Sequence, residues 1–280
     1  MEKAIKRYFP IFVLPTMIAF TLGFIIPFVE GVYLSFCKFT TVNDAKFIGF
    51  ANYAKVFADE TFVHAFWYTA AFTVVSVILI NVLAFAVALL LTKGFKGTNI
   101  FRTVFFMPNL IGGIVLGYIW QLLLNGILMK FSRTLTYSST YGFWGLIILM
   151  CWQQIGYMII IYIAGIQNIP CELIEAAEID GATKWQILKK VTIPMVMPSI
   201  TVCTFLTLTN SFKLFDQNLA LTNGEPSKMS EMLALNIFNT FYGRTGYEGV
   251  GQAKAVIFFI LVTVIALTQN YLTRRKEVQQ

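Results

Sequence analysis

Charge is scarce in this chain of 280 residues: Asp, Glu, Lys and Arg make up 12%, about half the share found in an ordinary soluble domain. There is one histidine, His64, and the four cysteines, Cys37, Cys151, Cys171 and Cys203, include no close pair. That scatter excludes a readable disulfide framework and any Cys/His metal spacing. A lone His without a partner in sequence is a helix-end or loop residue rather than a proton relay. No G-x-x-x-x-G-K-[ST] run occurs, so the chain cannot bind and hydrolyse ATP by phosphate-loop chemistry. No nucleophile stands beside a base, and the sequence is not that of an enzyme. It also has no low-complexity tract or Ser/Gly-rich linker, and residues 1–280 read as one domain. The net charge of +7 does not point to nucleic acid. Its basic residues sit in short groups beside apolar runs, where loops and lipid headgroups account for them.

What the chain does have is apolar surface, with 57% hydrophobic and 16% aromatic residues. A helix needs about 20 mostly apolar residues to cross a bilayer. Six stretches qualify, near residues 11–29, 66–91, 104–124, 143–166, 199–221 and 255–272, which predicts an all-α polytopic membrane protein with six transmembrane helices. The first follows Lys3, Lys6 and Arg7 but is too long for a signal peptide and lacks a small-residue cleavage site, so it reads as a retained anchor. Pro15 and Pro27 predict that it is kinked or broken. Gly112, Gly113 and Gly117 in the third stretch predict close helix packing. Tyr242, Tyr247, Trp67 and Trp144 near span ends suit interfacial anchors.

Charge by side sets the orientation. Lys3, Lys6, Arg7, Lys93, Lys96, Arg102, Lys184, Lys189, Lys190, Arg274, Arg275 and Lys276 fall on one side, and Lys38, Lys46, Lys55, Lys130, Arg133, Lys228, Arg244 and Lys254 on the other. Positive charge favours the cytoplasm, so both termini and the insert between the fourth and fifth stretches are expected there.

That insert, Pro170 to Pro194, is water-soluble in composition. Pro170 suits a helix start, Glu172 and Glu175 place negative charge near its positive end, and Gly181 permits the left-handed turn that ends it. Thr183 to Gln186 has the spacing of a capping box for a second helix, which Pro194 is expected to stop. An amphipathic hairpin lying on lipid would have a similar pattern. However, Glu172, Glu175, Glu178 and Asp180 are repelled by an anionic leaflet, whereas Ala176 and Ala177 admit a close protein surface. Docking to a soluble protein is the better reading.

Glu175-Ala176-Ala177, three residues, Gly181, nine residues, then Val191-Thr192-Ile193-Pro194 resembles the EAA loop of permease subunits in binding-protein-dependent ABC importers. Asp180-Gly181-Ala182 and Ile193-Pro194 resemble the carbohydrate-uptake branch, the relatives of maltose, lactose and glycerol-phosphate permeases. Val191 and Ile193 depart conservatively from the Ile and Leu frequent there. The resemblance covers most of the chain from the second span onward. It implies the type I importer permease fold, with the insert as a coupling helix in a groove of a cytoplasmic ATPase. Glu175, Ala176, Ala177, Gly181, Ile193 and Pro194 form the coupling motif. ATP and Mg belong to that partner, and this chain itself needs no cofactor. Ser211-Phe-Lys-Leu-Phe-Asp-Gln followed by Leu221-Thr-Asn-Gly-Glu-Pro226 is similar to the first of two permease types, implying a second homologous permease, two ATPase subunits and an extracytoplasmic sugar-binding protein. Residues 38–61 and 222–254 would offer that protein its docking surface.

Polar side chains within spans nominate a pathway, because they are expensive in lipid. The fourth stretch holds Gln153, Gln154 and Tyr157; the fifth holds Thr207, Thr209, Asn210, Ser211, Lys213, Asp216 and Gln217. Amides, hydroxyls and aromatics suit the hydroxyls and apolar faces of a sugar. The resemblance to maltose-type permeases implies a lining of Gln153, Gln154, Tyr157, Thr207, Asn210, Ser211 and Leu214. At Gln153 and Gln154 the maltose-type pattern is less polar, which suggests a different or larger ligand. Lys213 and Asp216, three residues apart on a helix, can pair, and read first as a structural ion pair and second as a substrate contact. The sequence therefore predicts a sugar importer subunit. A sugar-phosphate importer and a secondary transporter coupled to ions through Asp216 or Glu30 stay open as alternatives.

Overall fold

The computed structural model describes residues 2–94 and 97–275, with nothing said of the side chains of residues 2–7 and of Pro10. Lys96 and Lys276 of the charge count lie outside the described residues, as do the side chains of Lys3, Lys6 and Arg7. In chain order the helices are α1 (Glu2–Phe20), α2 (Ile26–Leu34), α3 (Ala51–Phe57), α4 (Glu60–Leu91), α5 (Thr98–Phe106), α6 (Gly113–Leu128) and α7 (Ser139–Gln167). They continue as α8 (Cys171–Ile179), α9 (Lys184–Ile187), α10 (Ile193–Met195), α11 (Met197–Phe212), α12 (Asp216–Leu221), α13 (Leu233–Gly243) and α14 (Glu248–Arg274). A two-residue antiparallel ribbon, β1 (Cys37–Lys38) with β2 (Lys46–Phe47), is the only sheet among the described residues. Among the described residues five helices are long and apolar enough to cross a membrane, six if the bent pair Lys184–Met195 and Met197–Phe212 counts as one span.

Proline shapes three of these spans, each differently. Across the first, Pro27 does not break the helix. A π-turn at Thr21–Ile25 precedes it, and Ile26 donates to the Thr21 carbonyl five residues back, absorbing the register change. The first span thus runs to Leu34 and includes Glu30. The third span, expected at 104–124, starts instead at Gly113. Pro108 lies in a 3₁₀ turn, Met107–Leu110, and Gly112 is non-helical, so Val104 to Phe106 belong to the separate α5. Pro194 does not stop the insert's second helix either. Another π-turn, Leu188–Thr192, precedes it, and the chain bends by 69° at Val196 before α11.

The chain divides into two compact units, Met1–Glu60 with Ile237–Ile260, and Thr61–Asn236 with Leu261–Gln280. In the first unit Leu34, Cys37 and Phe39 form a small core. The buried Asn52 donates to the carbonyls of Ser35 and Cys37 and fixes the start of the ribbon. Lys254, counted above as a loop cation, is fully buried inside α14, donating to Asp59 at 2.7 Å and Thr240 at 2.8 Å. A buried cation is tolerated only when so paired.

The second unit holds the main core, built from Phe72, Ile80 and Ala84 of α4, Leu146, Met150 and Ile159 of α7, and Cys203 of α11. Glycine sets its closest approaches. A Cβ at Gly156 of α7 would collide with the Phe105 carbonyl of α5, and one at Gly113 would stand 2.8 Å from the Asp216 Cβ of α12. Gly117 meets Ala220 of α12 in the same way, so Gly113 and Gly117 carry the expected packing. Gly112, with open space around it, does not.

Candidate functional site

Two glutamines of α7 lie at the centre of the second unit. Gln153 and Gln154 are 6% and 9% exposed, a costly burial unless each amide is hydrogen-bonded. The partners come from the helices that flank α7. Gln217 of α12 donates its Nε2 to Gln153 Oε1 at 2.8 Å, and Gln153 Nε2 donates to the Ile111 carbonyl at 3.4 Å. Asn210 of α11 donates to Gln154 Oε1 at 3.4 Å. Gly113 makes this possible, since a side chain there would push Asp216 and Gln217 away from α6. The result is a cluster of four carboxamides, each able both to donate and to accept.

The other expected lining residues divide. Tyr157 is half-exposed, with its ring 6.4 Å from that of Phe106. Ser211 is buried, and its Oγ has no hydrogen-bond partner among the described residues. Thr207 is fully buried in a different network, donating to the Cys203 carbonyl at 2.6 Å and accepting from Asn81 at 3.3 Å. Tyr162 completes that network by donating to Asn81 Oδ1 at 2.6 Å, tying α4, α7 and α11 together. Leu214 is a core residue. Thr207 and Leu214 thus pack helices rather than present groups to the amide cluster.

Lys213 and Asp216 do not form the expected helical pair. α11 ends at Phe212 and α12 begins at Asp216, so the three-residue spacing does not bring the side chains to one face of a continuous helix. No ion pair joins them among the described residues, and Lys213 is exposed. Sequence did not nominate Gln217 for the amide cluster, nor Asn81 and Tyr162 for the network that packs α4, α7 and α11. Asn81, a polar residue in an apolar span, carries the signal that nominated the others.

The second candidate region is the hairpin between α7 and α11. Its first helix, α8, starts at Pro170 with Glu172 in the first turn. It ends in a Schellman motif: Ala182 N–H donates to the Ala177 carbonyl and Gly181 N–H to that of Glu178, both at 3.0 Å, with Gly181 at φ +76°. The capping box forms as well, with Thr183 N–H donating to Gln186 Oε1 at 2.7 Å and Gln186 N–H to Thr183 Oγ1 at 3.4 Å. Ile174 and Ile169 pack on the main core, and Ile187 is buried. Those anchors turn the other face outward. Glu175 and Ala176 are exposed, Ala177 is half-buried, and Ile179 and Trp185 are 86% and 69% exposed. Ile193 and Pro194 are half-buried beside the bend into α11. The sequence nominated Glu175 and the alanines, and the large apolar pair beside them was missed.

Sequence and fold comparisons find related proteins. The chain is 42% identical over 96% of its length, and 94% of the relative's, to the probable starch degradation products transport system permease of Thermoanaerobacterium thermosulfurigenes. It is 29% identical to the multiple sugar-binding transport system permease of Streptococcus mutans, over 99% of each chain. Its fold superposes on a chain of a bacterial ABC transporter involved in the import of alginate, with a TM-score of 0.83 over 98% of both chains at 23% identity. Residues 80–278 match the family described as binding-protein-dependent transport system inner membrane component. With the broken fifth span, the exposed hairpin and this match in hand, the chain belongs to that family of transmembrane permease subunits.

Proposed function

We propose that this permease subunit admits a di- or oligosaccharide, or a related polyol, in an ATP-driven importer, and that the buried amides of α7, α11 and α12 hold the sugar. The observation that carries the reading is the cluster of Gln153, Gln154, Asn210 and Gln217. Carboxamides that satisfy one another can exchange those bonds for sugar hydroxyls without stranding a charge. The buried Ser211 hydroxyl, unpartnered among the described residues, is a further donor that such a ligand would satisfy. The relatives named for starch degradation products and multiple sugars support the solute class.

In this reading the hairpin seats in a groove of a cytoplasmic ATPase, which holds the ATP and Mg. Glu175, Ala176, Ala177 and Gly181 lie at the contact. A second permease completes the pathway, an extracytoplasmic binding protein delivers the sugar, and both termini and the hairpin are cytoplasmic. Because the hairpin runs into α11 through the bend at Val196, ATP-driven closure of two ATPases would tilt α11 and move Asn210 relative to Gln154. That motion is the local part of an alternating-access cycle.

The test is uptake of labelled maltooligosaccharides by proteoliposomes holding the chain with its partner permease, ATPase and binding protein. Uptake should require internal ATP, and Gln153→Leu should lower it while leaving binding-protein affinity for sugar unchanged. Uptake that persists without ATP and collapses with an uncoupler would overturn the reading.

A further inference from the structure

A cleft of about 510 Å³ opens between the end of α4, the start of α5 and the end of α7, lined by Thr92, Thr98, Asn99, Arg102 and Gln167 with the backbone of Gly94 and Gly97. It is separate from the amide cluster and shares no residue with the hairpin. Among the described residues every charged or polar side chain that lines it can donate a hydrogen bond, and none is an Asp or Glu. Among the described lining residues the one full charge is the Arg102 guanidinium. Among the described residues the Nε of Arg102 is buried from solvent with no hydrogen-bond partner, and no carboxylate pairs with the group. Leaving a guanidinium donor dry and unpaired costs free energy that an anion in the cleft would recover.

Three further features select the kind of anion. The guanidinium fork matches tetrahedral phosphoryl oxygens, to which it can donate two parallel bonds. The first turn of α5 lines the cleft, and its N-cap is Gly97, which supplies no side-chain cap, so the positive end of the helix adds to the same field. Finally, the cleft lies where the long apolar helix α4 ends at Leu91 and α7 ends at Gln167. That is headgroup depth for a span of this length. We propose that this cleft binds a phosphoryl anion through Arg102, either the phosphodiester of an anionic phospholipid or a free phosphate from the aqueous side.

The experiment uses the purified full-length chain, stripped of lipid in detergent, titrated with phosphatidylglycerol and, separately, with inorganic phosphate, with bound ligand counted by native mass spectrometry. Arg102→Gln should bind the first ligand about tenfold more weakly than wild type, and Arg102→Lys, which keeps the charge but loses the fork, should fall between. If inorganic phosphate displaces the first phosphatidylglycerol, the site takes free phosphate; if it does not, the site belongs to lipid. Either result supports a phosphoryl site. Should Arg102→Gln fail to fold, Gln167→Leu on the exposed end of α7 should weaken binding about twofold by removing one donor. Wild type that binds neither probe, or variants that bind both as wild type does, would overturn the proposal.

Discussion

Two connections in the second unit handle polarity in opposite ways. The hairpin from Cys171 to Met195 keeps Glu175, Ile179 and Trp185 in the open and buries little beyond Ile187 and Thr192. The connection from Thr222 to Asn236 folds inward, with Ser230, Glu231, Met232 and Leu233 at most 1% exposed. Both are less hydrophobic than the spans. The difference lies in how each satisfies its backbone. The hairpin closes its turn and cap on itself through a Schellman turn and a capping box, so these backbone groups need no partner from the body. The inward connection depends on Asn218 of α12, which donates to the Ser230 carbonyl and to Thr222 Oγ1 and accepts from Met232 N–H. A connection whose turn and cap are satisfied internally, anchored through Ile174 and Ile187, leaves its outer face to meet a partner; one threaded through a buried side chain is part of the body.

The largest effect should therefore come from breaking the inward connection. Asn218→Leu strands the buried Ser230 carbonyl and Met232 N–H, each worth about 1–3 kcal/mol when left unpaired, so destabilisation of about 3 kcal/mol is expected. Thermal unfolding in detergent reads it. A shift no larger than that of a surface substitution would mean that the loop holds itself and the contrast fails.

Charge reversal on the hairpin should act on function with little effect on stability. Glu175 is exposed and makes no ion pair among the described residues, so Glu175→Lys should leave the unfolding temperature within about a degree. Transport by the reconstituted complex should fall roughly tenfold, about 1.4 kcal/mol of lost coupling. Full transport by this variant would remove the docking role from α8.

How much of this was legible in the sequence follows the same division. Local chemistry reads well: Gly181, Thr183 and Gln186 gave the hairpin's turn and cap because those signals lie within a few residues of the structure they make. The existence of the spans reads well too, since length and hydropathy set it. Their breaks do not. Pro27, Pro108 and Pro194 look alike in sequence, yet the first and last are absorbed by π-turns while the second sits between two separate helices. Whether a π-turn forms depends on packing along the whole helix, which no local pattern encodes. The amide cluster was half legible. Gln153, Gln154 and Asn210 stood out as polar residues in apolar spans, but Thr207 looked the same and turned out to be bonded to Cys203 and Asn81. Polarity marks a residue that must avoid lipid without saying what it faces. The Lys213 and Asp216 reading failed because it assumed a helix that the chain ends at Phe212.

A smaller effect should come from the hairpin's turn. Gly181 sits at φ +76° with open space where a Cβ would project, so Gly181→Ala costs backbone strain without a clash, about 1 kcal/mol. The loss is local to the hairpin, and hydrogen exchange at Ala182 should report it more sharply than global unfolding. An unchanged exchange rate would show that the turn is held by packing rather than by its own geometry.

The smallest effect tests the contrast at its finest. Thr183 and Thr222 each use a hydroxyl to hold a turn, the first exposed on the hairpin and the second buried beside Asn218. Thr183→Ala removes one acceptor for Gln186 N–H, but water stands ready to replace it and the Gln186 carboxamide still reaches Thr183 N–H. The cost should be about 0.5 kcal/mol, the low end for loss of an N-cap. Unfolding curves of the two alanine variants under one condition make the comparison, because water cannot replace the Thr222 hydroxyl where Gly224 N–H donates to it at 3.4 Å. If Thr183→Ala proved the more damaging of the two, the hairpin would be a supporting member of the fold, and its exposure would not mark it as a surface kept for a partner.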